Sequence, residues 1–405
     1  IFGQPFYAGW GLTVDDAPPA RRQRQLTRSQ LFAAAMILYP KWYDPFRDEL
    51  CGLETALDNL EARVRAWRQD RHGWAASGMR LWKRKPLQKF FGSEQRVLFT
   101  EDPAKAQAGG RSWMVWAGKA AGAHADATRV EDGFLRSRGL GAELVPPLSL
   151  VTDSQGIYYD PRQPSGLDQL ISRRREMTQA QELRAERLVR SLIQDGVSKY
   201  NLGGSAPALP EGHRILVPGQ VEDDASIRCG AGEVRTNLQL LRAAREANPD
   251  AVIIYKPHPD VEAGLRTGRI AAEGLADAVA AHADPMALLT QVQEVWTMTS
   301  LLGFEALLRG IRVTTLGTPF YAGWGLTRDL APVPPWRQAQ VPLMGLAHAA
   351  LIDYPRYFDP VTRQPCPAEV AVMRLRAGHL PHPGLGNRML SKLQGLFATY
   401  AHLWR

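Results

Sequence analysis

The chain is organised around eleven residues, Glu131-Asp132-Gly133-Phe134-Leu135-Arg136-Ser137-Arg138-Gly139-Leu140-Gly141. The run 127–130 leads into them and predicts a strand that ends at a site. The glycines allow a backbone to approach a ligand closely. An arginine fork matches a carboxylate or a phosphate, and an aspartate can act as nucleophile or base. The stretch fits a site for an acidic sugar, and the alternative is an Asp-Gly turn with solvated arginines.

The composition predicts a soluble globular protein with an anionic partner. The chain has 405 residues, 45% of them hydrophobic, which suggests two or three domains. No run reaches the length of a membrane span, no signal peptide opens the sequence, and the start at Ile1 rather than at Met predicts further chain upstream. The net charge of +8 favours a nucleotide-sugar, nucleic acid or an acidic membrane surface. Because no nucleic-acid-binding motif is visible, we predict no nucleic-acid partner.

Two further features bear on the cellular setting. Cys51, Cys229 and Cys366 lie far apart without metal-ligand spacing, which predicts a reducing compartment, no disulfide framework and no metal site. The segment 82–91, Trp-Lys-Arg-Lys followed by Lys-Phe-Phe, combines basic and aromatic residues that suit an anionic membrane face. The alternative for this segment is a solvated linker whose phenylalanines close on the next domain.

An internal repeat is the clearest sign of domain organisation. Nine residues, Pro-Phe-Tyr-Ala-Gly-Trp-Gly-Leu-Thr, occur identically at 5–13 and at 319–327, and the likeness continues from 39–45 to 354–360. Both copies lie where a domain ends. We therefore predict two homologous domains in tandem, with only the tail of the first present and one complete unit after it.

The predicted organisation has four segments. They are a mostly helical tail of the preceding domain at 1–78, with helices at 26–38 and 50–67; a Rossmann-like lobe on the acceptor side at 79–210; a nucleotide-binding Rossmann-like lobe at 211–338; and helices that pack back on the lobes at 339–405. The apolar face of the tail, Leu53, Leu57, Leu60 and Val64, is expected to pack on the complete domain. The run 390–403 is amphipathic and is expected to pack across the lobes.

Strands that alternate with helices predict an α/β fold of two doubly wound lobes with a cleft between them. The first lobe is predicted to contain strands at 96–100, 113–117 and 127–130, a hairpin at 148–160, a helix at 178–195 and a linker at 201–212. The second is predicted to contain strands at 214–220, 251–255, 294–298 and 312–316.

Three loops of the second lobe follow strand ends, where open α/β sheets bind ligands. They carry Gln220, Lys256 with His258, and Thr299-Ser300 with Glu305. Lys256 and His258 can point at a phosphate, or can form a stiff turn with a solvated histidine. The amides after Ser300 can hold a phosphate and Glu305 can bind hydroxyls, or the serine is an ordinary helix cap.

Taken together, these motifs resemble those of the bacterial capsule polysaccharide β-Kdo transferases, large proteins with two tandem transferase domains. The resemblance covers about residues 80–370 and implies a GT-B-like fold. It also implies CMP-β-Kdo as donor, a lipid-linked Kdo acceptor, retention of the β configuration and no metal cofactor. The implied location is the cytoplasmic face of the inner membrane, with peripheral attachment.

The resemblance also assigns roles. Asp132 corresponds to the catalytic carboxylate and His258 to a nucleotide motif. We expect Asp132 to attack the anomeric carbon and Glu131 to deprotonate the acceptor. We expect Arg136 or Arg138, beside Ser137, to pair with the Kdo carboxylate. The alternatives are an inverting nucleotide-sugar transferase with Asp132 as base, and a non-catalytic acceptor-binding domain that depends on its partner domain.

Overall fold

A computed structural model describes residues 2–22, 24–138, 145–199, 201, 205, 207–264 and 266–380. The chain divides into two compact units, Ile1–Val64 and Arg65–Arg405. The first unit therefore ends before the predicted limit at residue 78. Gly139 and Gly141 of the central stretch, and the run 390–403, lie outside the described residues.

The first unit consists of helices around a short hairpin. It contains α1 (Arg28–Phe32), a π-helical continuation (Ala33–Leu38), β1 (Trp42–Asp44), β2 (Glu49–Cys51) and α2 (Leu53–Asp70), which spans the unit boundary. Thr27 and Gln30 form a reciprocal capping box that starts α1. Both helices predicted for the tail are confirmed. The predicted apolar face is not buried throughout, since Leu57 and Leu60 are exposed.

The second unit alternates strands and helices. Its strands are β3 (Trp74–Ser77), β4 (Leu98–Phe99), β5 (Ser112–Trp116), β6 (Thr128–Asp132), β7 (Ser149–Asp153), β8 (Arg214–Pro218), β9 (Val252–Lys256), β10 (Ala278–Val279), β11 (Glu294–Thr297), β12 (Arg312–Thr315), β13 (Arg328–Asp329), β14 (Pro355–Asp359) and β15 (Gln364–Cys366). Its helices are α3 (Leu81–Phe91), α4 (Pro103–Gln107), α5 (Gly166–Arg173), α6 (Gln179–Gln194), α7 (Ala225–Gly230), α8 (Asn237–Ala247), α9 (Pro259–Glu262), α10 (Pro285–Leu289), α11 (Leu301–Leu307), α12 (Leu343–His348) and α13 (Ala368–Ala377).

The first lobe is built on a seven-stranded sheet in the order β15-β14-β7-β6-β5-β3-β4. The strands β4, β3, β5 and β6 are parallel, whereas β7, β14 and β15 pair antiparallel. The strand β3 lies inside this sheet, although the sequence assigned its residues to the tail. Its residues are all buried, and three apolar residues followed by a serine are too short a run to separate a strand from a helix.

The predicted hairpin at 148–160 is wrong. After β7 the Asp153 carboxylate accepts hydrogen bonds from the backbone amides of Gln155, Gly156 and Gly166, at 2.9 Å each, so the chain turns into a loop. The strand β7 instead pairs with β6 on one side and with β14 on the other. This second partner comes from residues about 200 positions later, which local patterns do not reveal.

The second lobe is a six-stranded parallel sheet in the order β10-β9-β8-β11-β12-β13. Its four predicted strands are confirmed, and the two-residue edge strands β10 and β13 were not predicted. From β8 the chain winds outward through β9 and β10, and then returns to β11 on the other side of β8. The loops after β8 and β11 therefore face each other at the point where the strand order reverses, which is where such sheets bind ligands.

The C-terminal segment returns to the first lobe. Arg174 forms an ion pair with Asp353, with Nε–Oδ2 at 2.6 Å, and Arg184 pairs with Glu369, with Nε–Oε1 at 2.8 Å. The prediction of helices alone is incomplete, because the segment also adds β14 and β15 to the first sheet. The α/β, two-lobed fold class is confirmed. Within the described residues, no helix has both the length and the apolar character needed to cross a membrane.

Candidate active site

Asp132 is the last residue of β6 and is held by a buried arginine. Arg136 Nε donates to Asp132 Oδ2 at 2.9 Å, Nη1 donates to Ser137 Oγ at 2.9 Å, and Nη2 donates to the carbonyl of Val145 at 3.1 Å. Arg136 is almost completely buried. Its guanidinium is therefore used to orient Asp132 and the following loop, and this geometry does not favour the predicted contact with a ligand carboxylate.

The neighbouring carboxylates have opposite electrostatic environments. Burial raises the pKa of Glu131 to about 7, the Asp132 charge adds to the effect, and the Lys83 charge opposes it. Burial also acts to raise the pKa of Asp132, but Arg136 and Lys83 outweigh it and lower that pKa to about 2. Near neutral pH, Asp132 is therefore ionised while Glu131 can gain or lose a proton.

Lys83 is a site residue that the sequence did not identify. Its Nζ lies 2.8 Å from the centroid of the Trp116 ring, and it lines a small pocket together with Trp82, Trp116 and Asp132. Burial lowers the pKa of Lys83, while the charges of Asp132 and Glu131 raise it. The basic and aromatic composition of the segment 82–91 suggested a membrane-facing surface, but α3 directs Lys83 towards Glu131 and Asp132.

The rest of the segment 82–91 divides between core and solvent. Leu87, Phe90 and Phe91 of α3 are buried in the first lobe, whereas Lys85 and Lys89 are exposed. This burial agrees with the alternative in which the phenylalanines close on the following domain. The helix thereby places Lys83 beside the active site with one face fixed by the core.

Gln220 and Thr299 meet across the switch point of the second sheet. Gln220 Nε2 donates to Thr299 Oγ1 at 2.9 Å, and Gln220 Oε1 accepts from the Thr299 amide at 3.0 Å and from Thr297 Oγ1 at 3.2 Å. The loops after β8 and β11 are thus joined by a neutral hydrogen-bond network. The sequence named both residues as ligand contacts but could not show that they bind each other.

Ser300 caps the short helix α11, in line with the simpler of the two interpretations of its sequence. Its Oγ accepts from the Leu302 amide at 3.2 Å, and its carbonyl accepts from the Gly303 amide at 3.0 Å. Glu305 Oε1 accepts from the backbone amide of Lys199 at 2.9 Å, and burial raises the pKa of Glu305 to about 7. One oxygen of Glu305 therefore joins the second lobe to the segment that connects the lobes.

His258 is the N-cap of α9 and lies two residues after the end of β9. Its Nδ1 accepts from the Asp260 amide at 3.1 Å, so the neutral ring carries its hydrogen on Nε2. Burial lowers the pKa of His258 to about 4, against the opposing charge of Asp224. Lys256 is buried beside it, its Nζ donates to the Pro257 carbonyl at 3.3 Å, and burial lowers its pKa. His258 is therefore a neutral hydrogen-bond donor at physiological pH.

Lys199 lies where the two lobes meet. Its carbonyl accepts from the Ser137 amide at 3.2 Å, while its own amide donates to Glu305. Its charge lowers the pKa values of Glu131, Asp132, His258 and Glu305. No motif marks Lys199 in the sequence, because its position depends on how the segment after α6 crosses between the lobes.

Arg138 is placed differently from its neighbours in the central stretch. It is exposed, and its guanidinium lies beside Gly378 at the end of α13, where an added Cβ would be 3.6 Å from Nη1. The described loop thus separates its two arginines, one buried on Asp132 and the other at the surface. The structure brings together most of the predicted residues, namely Glu131, Asp132, Arg136 and Ser137 in one lobe and Gln220, Thr299, Ser300 and Glu305 in the other.

Comparison with known sequences gives consistent matches. The chain matches the family described as capsule polysaccharide biosynthesis protein over residues 111–201 and 192–357. It is 41% identical over 429 residues to the capsule polysaccharide modification protein LipA of Neisseria meningitidis serogroup B, covering 98% of this chain and 61% of LipA. It is 47% identical over 238 residues to the lipopolysaccharide-processing protein LpsZ of Rhizobium meliloti, covering 56% and 54% of the two chains. The chain thus spans about three fifths of the length of LipA.

Comparison with solved structures gives two matches from Thermosulfurimonas dismutans. One is KpsC described as a β-Kdo 2,4 transferase, with a TM-score of 0.67 and 34% identity, covering 75% of this chain and 98% of that chain. The other is KpsC described as a β-Kdo 2,7 transferase, with a TM-score of 0.63 and 33% identity, covering 75% and 99%. The similarity extends over nearly the whole of both solved chains.

Proposed function

The chain belongs to the capsule polysaccharide biosynthesis protein family, and we propose that it is a retaining glycosyltransferase that moves β-Kdo from CMP-β-Kdo to a Kdo-containing glycolipid. The observation that carries this proposal is the pair of adjacent carboxylates, one ionised and one that titrates near neutral pH. Its likeness to two solved proteins described as β-Kdo transferases supports the choice of sugar.

In the first step, Asp132 is the nucleophile. Arg136 engages Oδ2, so Oδ1 is the oxygen that attacks the anomeric carbon of Kdo. The bond from that carbon to the phosphate oxygen breaks, and CMP leaves with the electron pair. A strongly lowered pKa keeps Asp132 ionised, and the Arg136 contact holds the carboxylate in one orientation for in-line attack.

The second lobe binds the leaving group. CMP is a good leaving group that requires stabilisation of negative charge more than it requires a proton. His258 Nε2 donates a hydrogen bond to the phosphate, Lys256 adds positive charge, and Gln220 with Thr299 shapes the base of the nucleotide site. In this proposal, protein side chains rather than a metal ion neutralise the phosphate.

Lys199 binds the acidic group of the donor sugar. Its charge acts on Asp132 in one lobe and on His258 in the other, so the same cation influences the attacking carboxylate and the phosphate site. In this proposal, the Kdo carboxylate pairs with Lys199 while the anomeric carbon faces Asp132. In this proposal, Lys199 takes the role for which the sequence offered Arg136 or Arg138.

In the second step, Glu131 activates the acceptor. Its carboxylate accepts the proton of the acceptor hydroxyl, whose oxygen attacks the anomeric carbon and displaces Asp132. Two successive inversions retain the β configuration. The acceptor is a lipid-linked Kdo glycan, presented at the cytoplasmic face of the inner membrane.

The test is turnover of CMP-β-Kdo with a synthetic Kdo-terminated glycolipid, followed by CMP release and by NMR of the product. The proposal predicts CMP release and a β-linked product from the wild-type chain, and neither from Asp132→Ala, which should still bind CMP. An α-linked product would instead support an inverting transferase with Asp132 as base. Donor binding without turnover, with acceptors of either linkage, would support a non-catalytic binding domain.

A further inference from the structure

The small pocket beside Asp132 is bounded mainly by carbon. Among the residues that the structure describes, its lining consists of Lys83, Asp132 and the apolar residues Trp82, Pro86, Leu87, Trp116, Pro147 and Leu150. The indole nitrogen of Trp82 is itself buried, so it presents no hydrogen-bond donor at the pocket surface. Lys83 Nζ lies over the Trp116 ring, 2.8 Å from its centroid. Few polar atoms therefore face a ligand in this pocket.

The sheet of the first lobe explains why Asp132 has apolar neighbours. Leu150 lies directly opposite Asp132 in the antiparallel pair of β6 and β7, so their side chains are on the same face of the sheet. Val130, two residues earlier on that face, is buried and lies beside Trp116 of β5. The helix α3 covers the face with Leu87, which belongs to the same apolar cluster as Val130 and Leu150. Asp132 therefore lies at the edge of a hydrophobic core.

The size and the polarity of the pocket limit what can occupy it. It has room for about one water molecule. A hydroxyl group placed here would lose its hydrogen bonds to water and would meet carbon on most sides, which is costly. Arg136 already engages Asp132 Oδ2, and the proposed function uses Oδ1 for attack. A small group without polar atoms, such as a methylene, is therefore the best occupant.

We propose that this pocket selects donors that carry a methylene group next to the anomeric carbon, the class of 3-deoxy sugar acids. The inference rests on the proposed function, in which Asp132 Oδ1 attacks the anomeric carbon. That carbon bears the leaving phosphate, a carboxylate, the ring oxygen and the C3 methylene. Because the phosphate leaves on the side opposite to Asp132, one of the remaining groups lies against the pocket.

The methylene suits the pocket better than the carboxylate or the ring oxygen does. The carboxylate is larger than a water molecule, and it pairs with Lys199 in the proposed function. The ring oxygen gains positive charge as the phosphate leaves, which the ammonium group of Lys83 in the pocket wall opposes. The methylene has no charge and no hydrogen bonds to lose. The pocket therefore recognises the position at which the sugar lacks a hydroxyl group.

The test compares CMP-β-Kdo with its two analogues that carry a hydroxyl group at C3, one of each configuration. The wild-type chain should use at least one analogue with a kcat/KM about 100-fold lower. Leu150→Asn keeps the size of the side chain and adds an amide that can bind the hydroxyl, so it should reduce this ratio about tenfold. The hydroxyl alters the intrinsic reactivity of the donor equally for both enzymes, so the change in the ratio measures the contribution of the pocket. Leu98→Asn, at an exposed position on β4 of the same sheet, is the matched control and should keep the wild-type ratio.

A second variant covers the case in which Leu150→Asn does not fold, which melting curves would show. Pro147→Ser places a hydroxyl at the pocket from the segment before β7, and should change the ratio in the same direction. Equal use of CMP-β-Kdo and both analogues by the wild-type chain would overturn the inference and leave the proposed function standing. An unchanged ratio in the folded pocket variants would do the same. If the wild-type chain transfers none of these donors, the proposed function fails and the inference fails with it.

Discussion

The two lobes carry different chemistry where they meet. The first lobe places Lys83 beside Glu131 and Asp132, half-buried groups whose pKa values are shifted from their ordinary values. The second lobe places Gln220 and Thr299 in a neutral hydrogen-bond network, next to a histidine that stays neutral. The carboxylates of the first lobe can therefore change their protonation state during a reaction, while Gln220, Thr299 and His258 can hold a ligand without doing so. In the proposed function, this difference assigns bond formation to the first lobe and donor binding to the second.

The largest effect is expected for Asp132→Asn. The substitution keeps the shape but removes the nucleophile, so transfer should fall about 10³-fold or more while CMP binding is retained. Steady-state kinetics and calorimetric CMP titration measure the two properties. Asp126→Asn, at an exposed position shortly before β6, is the matched control. Near-normal transfer by Asp132→Asn would show that Asp132 of the first lobe does not form the bond to the sugar.

A smaller loss is expected for Glu131→Gln. A general base is active when deprotonated, and burial raises the pKa of Glu131 to about 7, so the wild-type rate should rise as the pH passes through about 7. The glutamine variant should lose about 10²-fold in kcat and should lose this rise. The kcat is measured between pH 5.5 and 8.5. If the variant keeps the same pH profile, Glu131 is not the titrating base.

The pair Lys83→Met and Lys85→Met tests the role of the buried lysine. Lys83 lowers the pKa of Glu131, so its removal should move the rising limb of the pH profile to higher pH and reduce the rate at pH 7 by up to about tenfold. The rate should recover in alkaline buffer. Lys85 is exposed on the same helix, and its substitution should leave the profile unchanged. Equal profiles for both variants would contradict the placement of Lys83.

The smallest effect on transfer is expected for Gln220→Ala, in the second lobe. Gln220→Ala removes the contacts between the loops after β8 and β11, and should raise the KM for the donor about tenfold, with little change in kcat. Melting curves confirm that the variant is folded. A fall in kcat with an unchanged KM would contradict the division of roles between the lobes.

Much of the fold could be predicted because its signals are local. The second lobe has buried strands between amphipathic helices, and all four predicted strands are present. The failures come from long-range pairing. β7 was expected to pair within a hairpin, yet it pairs with β14, and β3 was assigned to the tail because a short apolar run does not reveal its neighbours.

The site residues that belong to sequence motifs could be predicted, whereas the site residues outside those motifs could not. Asp132 and Gln220 lie at the carboxyl ends of strands, a position that can be predicted from the sequence pattern. Lys83 and Lys199 do not, because their place depends on helix orientation and on the crossing between the lobes. The sequence offered Arg136 or Arg138 as the partner of the Kdo carboxylate, since it shows two cations in the loop but not that the Arg136 guanidinium turns inward to Asp132.

The most direct test is intact-mass spectrometry of Glu131→Gln mixed with CMP-β-Kdo, since this variant should form the covalent intermediate and resolve it slowly. The account predicts a mass gain of one Kdo residue that peptide mapping places on Asp132, and no gain when Asp132→Asn is combined with it. A protein that stays unmodified and, once acceptor is added, forms product with inverted anomeric configuration would contradict the account.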